Sequence, residues 1–261
     1  MTRPALIRRS ISIRTWPACR PILGAVAGLM LALCQPAAAA NFGVSPLRVE
    51  LGANQRSGAL TLRNEGEHSA VVQLQVVRWT QQNGEDIYTP TEDLLATPPI
   101  FTVAPGGAQI VRLGMRRAPD PEQELAYRIF LQEIPRPPKP NESGAQIALR
   151  IGLPVFVAPV ATPLARLDWA SEALAAPGRG FSAVNNGNSH VQVTDFKVRQ
   201  GSDKKELLHI RKSAYLLAGQ SAHWDLPTDA TIPPHRALEL VVHTDRGDSL
   251  VGLPNPLQSL R

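Results

Sequence analysis

Cysteine is almost missing from this chain. Its 261 residues hold two, Cys19 and Cys34, both within the first forty positions. Residues 41–261 therefore offer no disulfide framework, no thiolate metal site and no cysteine nucleophile. Charge of one sign is missing too, once it is apportioned. Arg3, Arg8, Arg9, Arg14 and Arg20 lie in residues 1–40 without any acidic residue, which leaves 22 Lys+Arg against 22 Asp+Glu in residues 41–261. The basic pI belongs to the N-terminal segment, and a nucleic-acid reading loses its main support. No apolar run is long enough to span a bilayer comfortably, so no membrane insertion is expected. No period of three or seven runs through the chain, which excludes collagen and coiled coil. There is no Gly-x-Ser-x-Gly elbow, no His-Glu-x-x-His pair and no phosphate-cradling glycine loop. The six histidines are scattered, and isolated or satisfied roles fit them better than metal ligation. Catalysis, cofactors and metals are not expected.

What is present begins with a leader. Arginines through position 20, the apolar run Pro21–Cys34 and the small residues Ala37–Ala40 follow the charged, apolar and cleavage-site order of a secretory signal peptide. Leu33 is too large for a lipoprotein site ahead of Cys34, and Arg8-Arg9 lies too far upstream of the apolar run for twin-arginine export. Sec export with cleavage after Ala40 is the expectation, and an oxidising envelope compartment, the periplasm, the destination. With 43% hydrophobic residues, the chain has enough apolar material to build a core by packing alone.

After the leader, Pro, Gly and Asn punctuate the chain at short intervals, with Val-, Ile-, Leu- and Thr-rich runs between. Val44–Leu51, Ala59–Arg63, Val71–Trp79, Gln109–Gly114, Leu125–Ile134 and Gln146–Val157 read as strands. Two prolines in Val157–Pro163 make a seam, and the pattern restarts at Phe181–Val184, Val191–Arg199, Glu206–Ile210, His223–Leu226, Leu238–Val242 and Leu250–Leu253. The fold class is all-β, with two sandwiches: residues 41–159 and residues 160–261. The sharpest feature is the strand 146–157. Ile147, Leu149, Ile151, Leu153 and Val155 alternate with Ala148, Arg150, Gly152 and Pro154, giving one face a row of branched aliphatic side chains. Such a row either packs into its own sandwich or is lent to a partner by β-strand addition. Pro154 points to an edge, because proline donates nothing to a ladder.

Three motifs in order resemble the PapD-like periplasmic chaperones of the chaperone–usher pilus pathway. They are Val44-Ser-Pro-Leu-Arg48, then Ala96-Thr-Pro-Pro with Pro105-Gly and Val111-Arg-Leu113, then Glu124-Leu-x-Tyr127 with Leu131-x-Glu-Ile-Pro135 leading to Gln146-Ile-Ala-Leu149. Asn185-Asn-Gly-Asn188 and Val191-Gln-Val-Thr-Asp195 resemble the second domain more loosely.

The resemblance implies two immunoglobulin-like domains in a boomerang. It implies partners as well: pilin-like or spore-coat-like subunits and an outer-membrane usher. The strand carrying Ile147, Leu149, Ile151 and Leu153 becomes the donor strand. Arg48 becomes the anchor for the subunit's C-terminal carboxylate, a role that the guanidinium fork suits. The family's donor-strand lysine falls on Pro154, its nearby arginine on Ala158 and its usual asparagine on Phe130. These departures point to a divergent, archaic branch, with Arg128 or Arg150 as candidate substitute cations. Arg112 and Glu124 are expected as scaffold near the domain junction, and Thr97–Pro98 as a cis bond. Whether the free chain self-associates is left open. The alternative reading is a secreted two-domain structural or adhesion protein that keeps its apolar strand for itself.

Overall fold

The alternating apolar runs build strands, and every regular element among the described residues is one. The structure is a computed structural model that describes residues 41–136, 147–173, 179–200, 204–226 and 238–253. The leader with both cysteines, Gln146 and most of the proline-rich loop after Ile134 lie outside the described residues. Strands β1 (Phe42–Ser45), β2 (Val49–Leu51), β3 (Ser57–Asn64), β4 (Ala70–Gln82) and β5 (Glu85–Pro90) are followed by β6 (Leu94–Thr97), β7 (Ile100–Val103), β8 (Ala108–Met115), β9 (Leu125–Ile134) and β10 (Arg150–Val157). They form two sheets, ordered β1-β3-β8-β6 and β2-β10-β9-β4-β5, with β7 also pairing β4. Alternation turns Leu60, Leu62, Val111 and Leu113 of the first sheet onto Val72, Ile129, Leu131 and Val155 of the second, all almost fully buried.

The remaining strands are β11 (Leu167–Ala173), β12 (Arg179–Asn185), β13 (Val191–Gln200), β14 (Glu206–Ile210), β15 (Ala214–Leu216), β16 (Ser221–Asp225), β17 (Leu238–Thr244) and β18 (Gly247–Leu253). One sheet runs β11-β12-β16, the other β14-β13-β17-β18 with β15 pairing β13. Aromatic rings fill the centre of this core: Phe181, Phe196 and Trp224 lie buried together, with Phe181 stacked on Trp224 at 5.4 Å. Both sandwiches sit within one compact unit, Ala39–Arg261.

The same corner recurs in both. Asn64 is 1% exposed; its amide donates to the His68 and Val103 carbonyls, and its oxygen accepts from the Gly66 amide. Asn185, at 0%, repeats this with the Ser189 and Leu216 carbonyls and the Gly187 amide. A buried side-chain amide thus replaces missing ladder bonds where each chain turns.

Three expectations are corrected. Val44–Leu51 is two strands rather than one: β1 pairs β3, whereas β2 pairs β10 in the other sheet. Pro46 sits at the crossing, where the absence of an N–H costs no ladder bond. The strand expected over 146–157 is regular over Arg150–Val157, with Ile147 to Leu149 leading into it. Strands β5, β6, β7, β11 and β15 were not anticipated, since each is short or mostly exposed and shows weak alternation.

Candidate functional site

The outward side chains of β4, β9 and β10 meet the second sandwich. Trp79, Ala126 and Phe156 join Leu217 in a small buried cluster, with Tyr215 packed against it. The Tyr215 ring lies edge-on to Trp79 at 5.5 Å and tilted to Phe156 at 5.7 Å. Gln81, at the end of β4, grips the main chain around β15. Its amide nitrogen donates to the Tyr215 carbonyl at 2.8 Å, and its oxygen accepts from the Leu217 amide at 2.9 Å. Glu124 accepts both the backbone N–H of His190 and its ring Nδ1, at 2.9 and 2.7 Å. His190 is 1% exposed and stacks on Phe156 with ring centroids 3.5 Å apart. These polar contacts are directional and the rings are close-packed, so the junction is a fixed surface rather than a loose hinge.

Two arginines approach Tyr215, and one of them, Arg128, lines the cavity beside it. Arg48, at the entry to β2, donates to Asp245 Oδ2 at 2.7 Å and lies 3.1 Å from Glu50. Asp245 is itself fixed by the Gln192 backbone amide at 2.9 Å. Arg128, on β9, stacks over the Trp79 ring at 4.1 Å and stands 5.8 Å from the Tyr215 ring. Its nearest carboxylate is Asp86 at 3.9 Å, and its buried Nε has no hydrogen-bond partner among the described residues. A cavity of about 490 Å³ opens here, lined by Trp79, Gln81, Asp86, Arg128, Tyr215 and neighbours. Arg48 is thus already committed to two carboxylates, while Arg128 retains unused donor capacity.

The other predicted residues separate. Arg150 lies over the Phe130 ring at 4.0 Å, outside the residues lining the cavity. Phe130 also meets Tyr88 edge-on at 5.4 Å and covers Gly152, where an added Cβ would come within 2.9 Å of the ring. Arg112 is corrected as a junction residue: it is exposed on β8, whereas the cluster that meets the second sandwich lies on β4, β9 and β10 of the other sheet. Glu124 does reach the junction, through His190. The Thr97–Pro98 bond is cis, and so is Ser45–Pro46.

The apolar row grades from core to solvent. Leu153 is 4% exposed and packed into the domain's own core, which corrects its place among the residues free for a partner. Ile151 packs against that core half-buried, Leu149 is half-buried, and Ile147 is 79% exposed. On one side the strand pairs β9 from Arg150 to Val157; on the other, β2 begins only at Val155. Among the described residues, 150–154 thus have an unpaired main-chain edge, and Pro154 sits where that edge ends.

Sequence reasoning missed Trp79, Gln81, Phe156, His190, Tyr215 and Asp245. Nothing in the spacing of Gln81, His190, Tyr215 and Asp245 marks them, because they meet only across the two sandwiches. Trp79 and Phe156 could have been found as large apolar residues on the strand face opposite the core row. His190 fits the satisfied role expected of the histidines only at Nδ1; its buried Nε2 has no hydrogen-bond partner among the described residues. Among the described residues, no group of three or more His, Cys, Asp or Glu is arranged to hold a metal ion.

Residues 41–163 match the family described as "Pili and flagellar-assembly chaperone, PapD N-terminal domain". No curated protein sequence matches the chain. Among solved structures, the CsuC–CsuE chaperone–tip adhesion subunit complex from archaic Csu pili of Acinetobacter baumannii has a chain with TM-score 0.58 and 18% identity, covering 82% of this chain and 98% of that one. A chain of the Salmonella enterica SafA pilin–SafB chaperone complex gives 0.57 at 15% identity, covering 82% and 94%. The YadV chaperone gives 0.57 at 15% identity, covering 81% and 99%. The first sandwich thus matches the PapD N-terminal-domain model, and the whole described chain shares the fold of these structures, two immunoglobulin-like sandwiches. The periplasmic chaperone SfaE matches as well, with TM-score 0.52 at 15% identity, covering 81% of this chain and 96% of that one.

Proposed function

We propose that this protein, exported and cleaved after Ala40, binds pilin-like or spore-coat-like subunits in the periplasm and hands them to an outer-membrane usher. Residues 41–159 carry the donor strand, and residues 160–261 complete the cleft. One observation carries the reading: an apolar row leaves its own core along a strand whose other edge has no partner over residues 150–154 among the described residues. A long apolar edge is ordinarily selected against, because it invites aggregation. A subunit that lacks a strand would pair with that edge and take Ile147, Leu149 and Ile151 into its groove. Its C-terminal carboxylate would lie in the cleft between Arg128 and Arg48.

The energetics favour the row over the anchor. Burying three such side chains contributes roughly 5–9 kcal/mol at most, at about 1.5–3 each. Part of this is already realised at Leu149 and Ile151. One charge-assisted hydrogen bond is worth roughly 1.5–3 kcal/mol. The row therefore supplies most of the affinity, and the cleft sets the register.

The test is affinity purification of the tagged protein from the periplasm of its own source, beside Leu149→Asp. A small exported β-rich subunit should accompany the wild type at near-equal amount and be lost with Leu149→Asp, while the variant's melting temperature stays within a few degrees. Co-purification undiminished by Leu149→Asp would remove the donor-strand assignment. Repeated recovery of the protein alone would favour a structural or adhesion protein.

A further inference from the structure

Tyr215 is the part of the cleft that the family motifs do not touch. It stands on β15 of the second sandwich, within the lining of the 490 Å³ cavity. Its position is fixed twice. The main chain is held by Gln81 at 2.8 Å, and the ring is wedged against Trp79, Phe156 and His190 with centroids 5.5, 5.7 and 5.9 Å away. Both cleft arginines adjoin it. Arg128 lies 5.8 Å from the ring centroid, and the charge of Arg48 is near enough to draw the hydroxyl's pKa down. A guanidinium only donates, so neither arginine competes for the phenol proton, which stays available to an acceptor. Burial raises the Tyr215 hydroxyl above the ordinary phenol range, although Arg48 and Arg128 pull it down, so it is protonated at neutral pH.

We infer that Tyr215 is a specificity-determining residue of the cleft, whose hydroxyl donates to the C-terminal carboxylate of a bound polypeptide while Arg128 supplies the charge. This rests on the chaperone reading above. The carboxylate has two oxygens, one for each partner, and the pair belongs to different sandwiches: Arg128 to the first, Tyr215 to the second. Chain-end recognition thus requires both domains together. Arg48 is held by Asp245 and Glu50, which leaves Arg128 as the cation of the pair. The ligand class is a free chain terminus in extended conformation. A side-chain carboxylate in mid-strand would not reach the cleft without breaking the pairing along residues 150–154.

The experiment titrates the mature protein with a short acetylated peptide of alternating threonine and valine, as the free acid and as the C-terminal amide, against wild type and Tyr215→Phe. Wild type should prefer the acid by roughly tenfold or more. Tyr215→Phe keeps the ring packing, so its melting temperature and its affinity for the amide should match wild type. Its preference for the acid should fall to roughly threefold or less, the part left to Arg128. An undiminished acid preference in Tyr215→Phe overturns the inference while leaving a carboxylate seat in place. Equal loss for acid and amide overturns it as well, since Tyr215 would then act on the cleft's shape. A wild type that binds neither peptide, or both equally, removes the chain-end anchor on which the inference depends.

Discussion

Tyr127 shows how much one hydroxyl can commit. It is 1% exposed in the first core and donates to Asp93 Oδ2 at 3.1 Å. Burial, then the negative charge and hydrogen bond of Asp93, push its phenol up to about 12. A pKa raised on folding stabilises the protein fully below the unfolded value near 10 and is lost as pH climbs through 10 to 12. The loss at the alkaline limit is about 2–3 kcal/mol. Tyr127→Phe should cost about 1 kcal/mol at neutral pH. Urea unfolding of both proteins between pH 8 and 12 should show the gap closing and then reversing as Tyr127 ionises (about 2 pH units above the usual phenol midpoint). Parallel curves over that range would mean that Asp93 does not hold this hydroxyl. Tyr127 was legible in the sequence as part of a motif. Its partner Asp93, 34 positions away, was not, because only the folded sheet brings them together.

At the scale of the element, β10 is divided along its length. Its C-terminal half is an interior strand, paired by β9 on one side and β2 on the other, and its N-terminal half has one open edge. The sequence showed a uniform row of alternating aliphatics over Ile147–Val155. Alternation fixes which face a side chain takes but not how far the opposing sheet extends beneath it. Leu153→Ala should therefore cost about 2–5 kcal/mol, as a cavity in a packed core does. Ile147→Ala should stay within about 0.5 kcal/mol. Urea midpoints of the two variants provide the comparison. If Ile147→Ala destabilises as much as Leu153→Ala, the row is buried throughout and has nothing left to lend.

On the scale of the whole molecule, the two sandwiches are joined by a few directional contacts around a small aromatic cluster. Gln81 makes two of them, at 2.8 and 2.9 Å, both to backbone groups beside Tyr215. Gln81→Ala would leave a half-buried carbonyl and amide unpaired, at about 1–3 kcal/mol each when desolvation is complete. The cost falls on the coupling between the sandwiches and not on either core. Calorimetry should show a single transition in wild type resolve into two for Gln81→Ala, with the helix-free circular dichroism spectrum retained. A single transition shifted as a whole would place the coupling elsewhere, in the Glu124–His190 pair or the Arg48–Asp245 pair. Subunit affinity should drop with the coupling if the cleft is shared between domains.

The sequence by itself determined the class of this fold, its two sandwiches and most of its long strands. Those depend on local alternation, on turn residues and on proline, all read over short windows. It also determined the family resemblance, because Val44–Arg48, Ala96–Leu113 and Glu124–Pro135 are contiguous stretches. Only the tertiary structure decided how the cleft is made. Arg48 and Asp245 are 197 positions apart, and Gln81 and Leu217 are 136 apart. Such pairs have no periodic signature, since their meeting depends on how one sandwich docks on the other. The distinction between Arg128, on the cleft floor, and Arg150, stacked on Phe130, belongs to the same level. Both are outward arginines next to an apolar strand; the packing of rings around each one separates them.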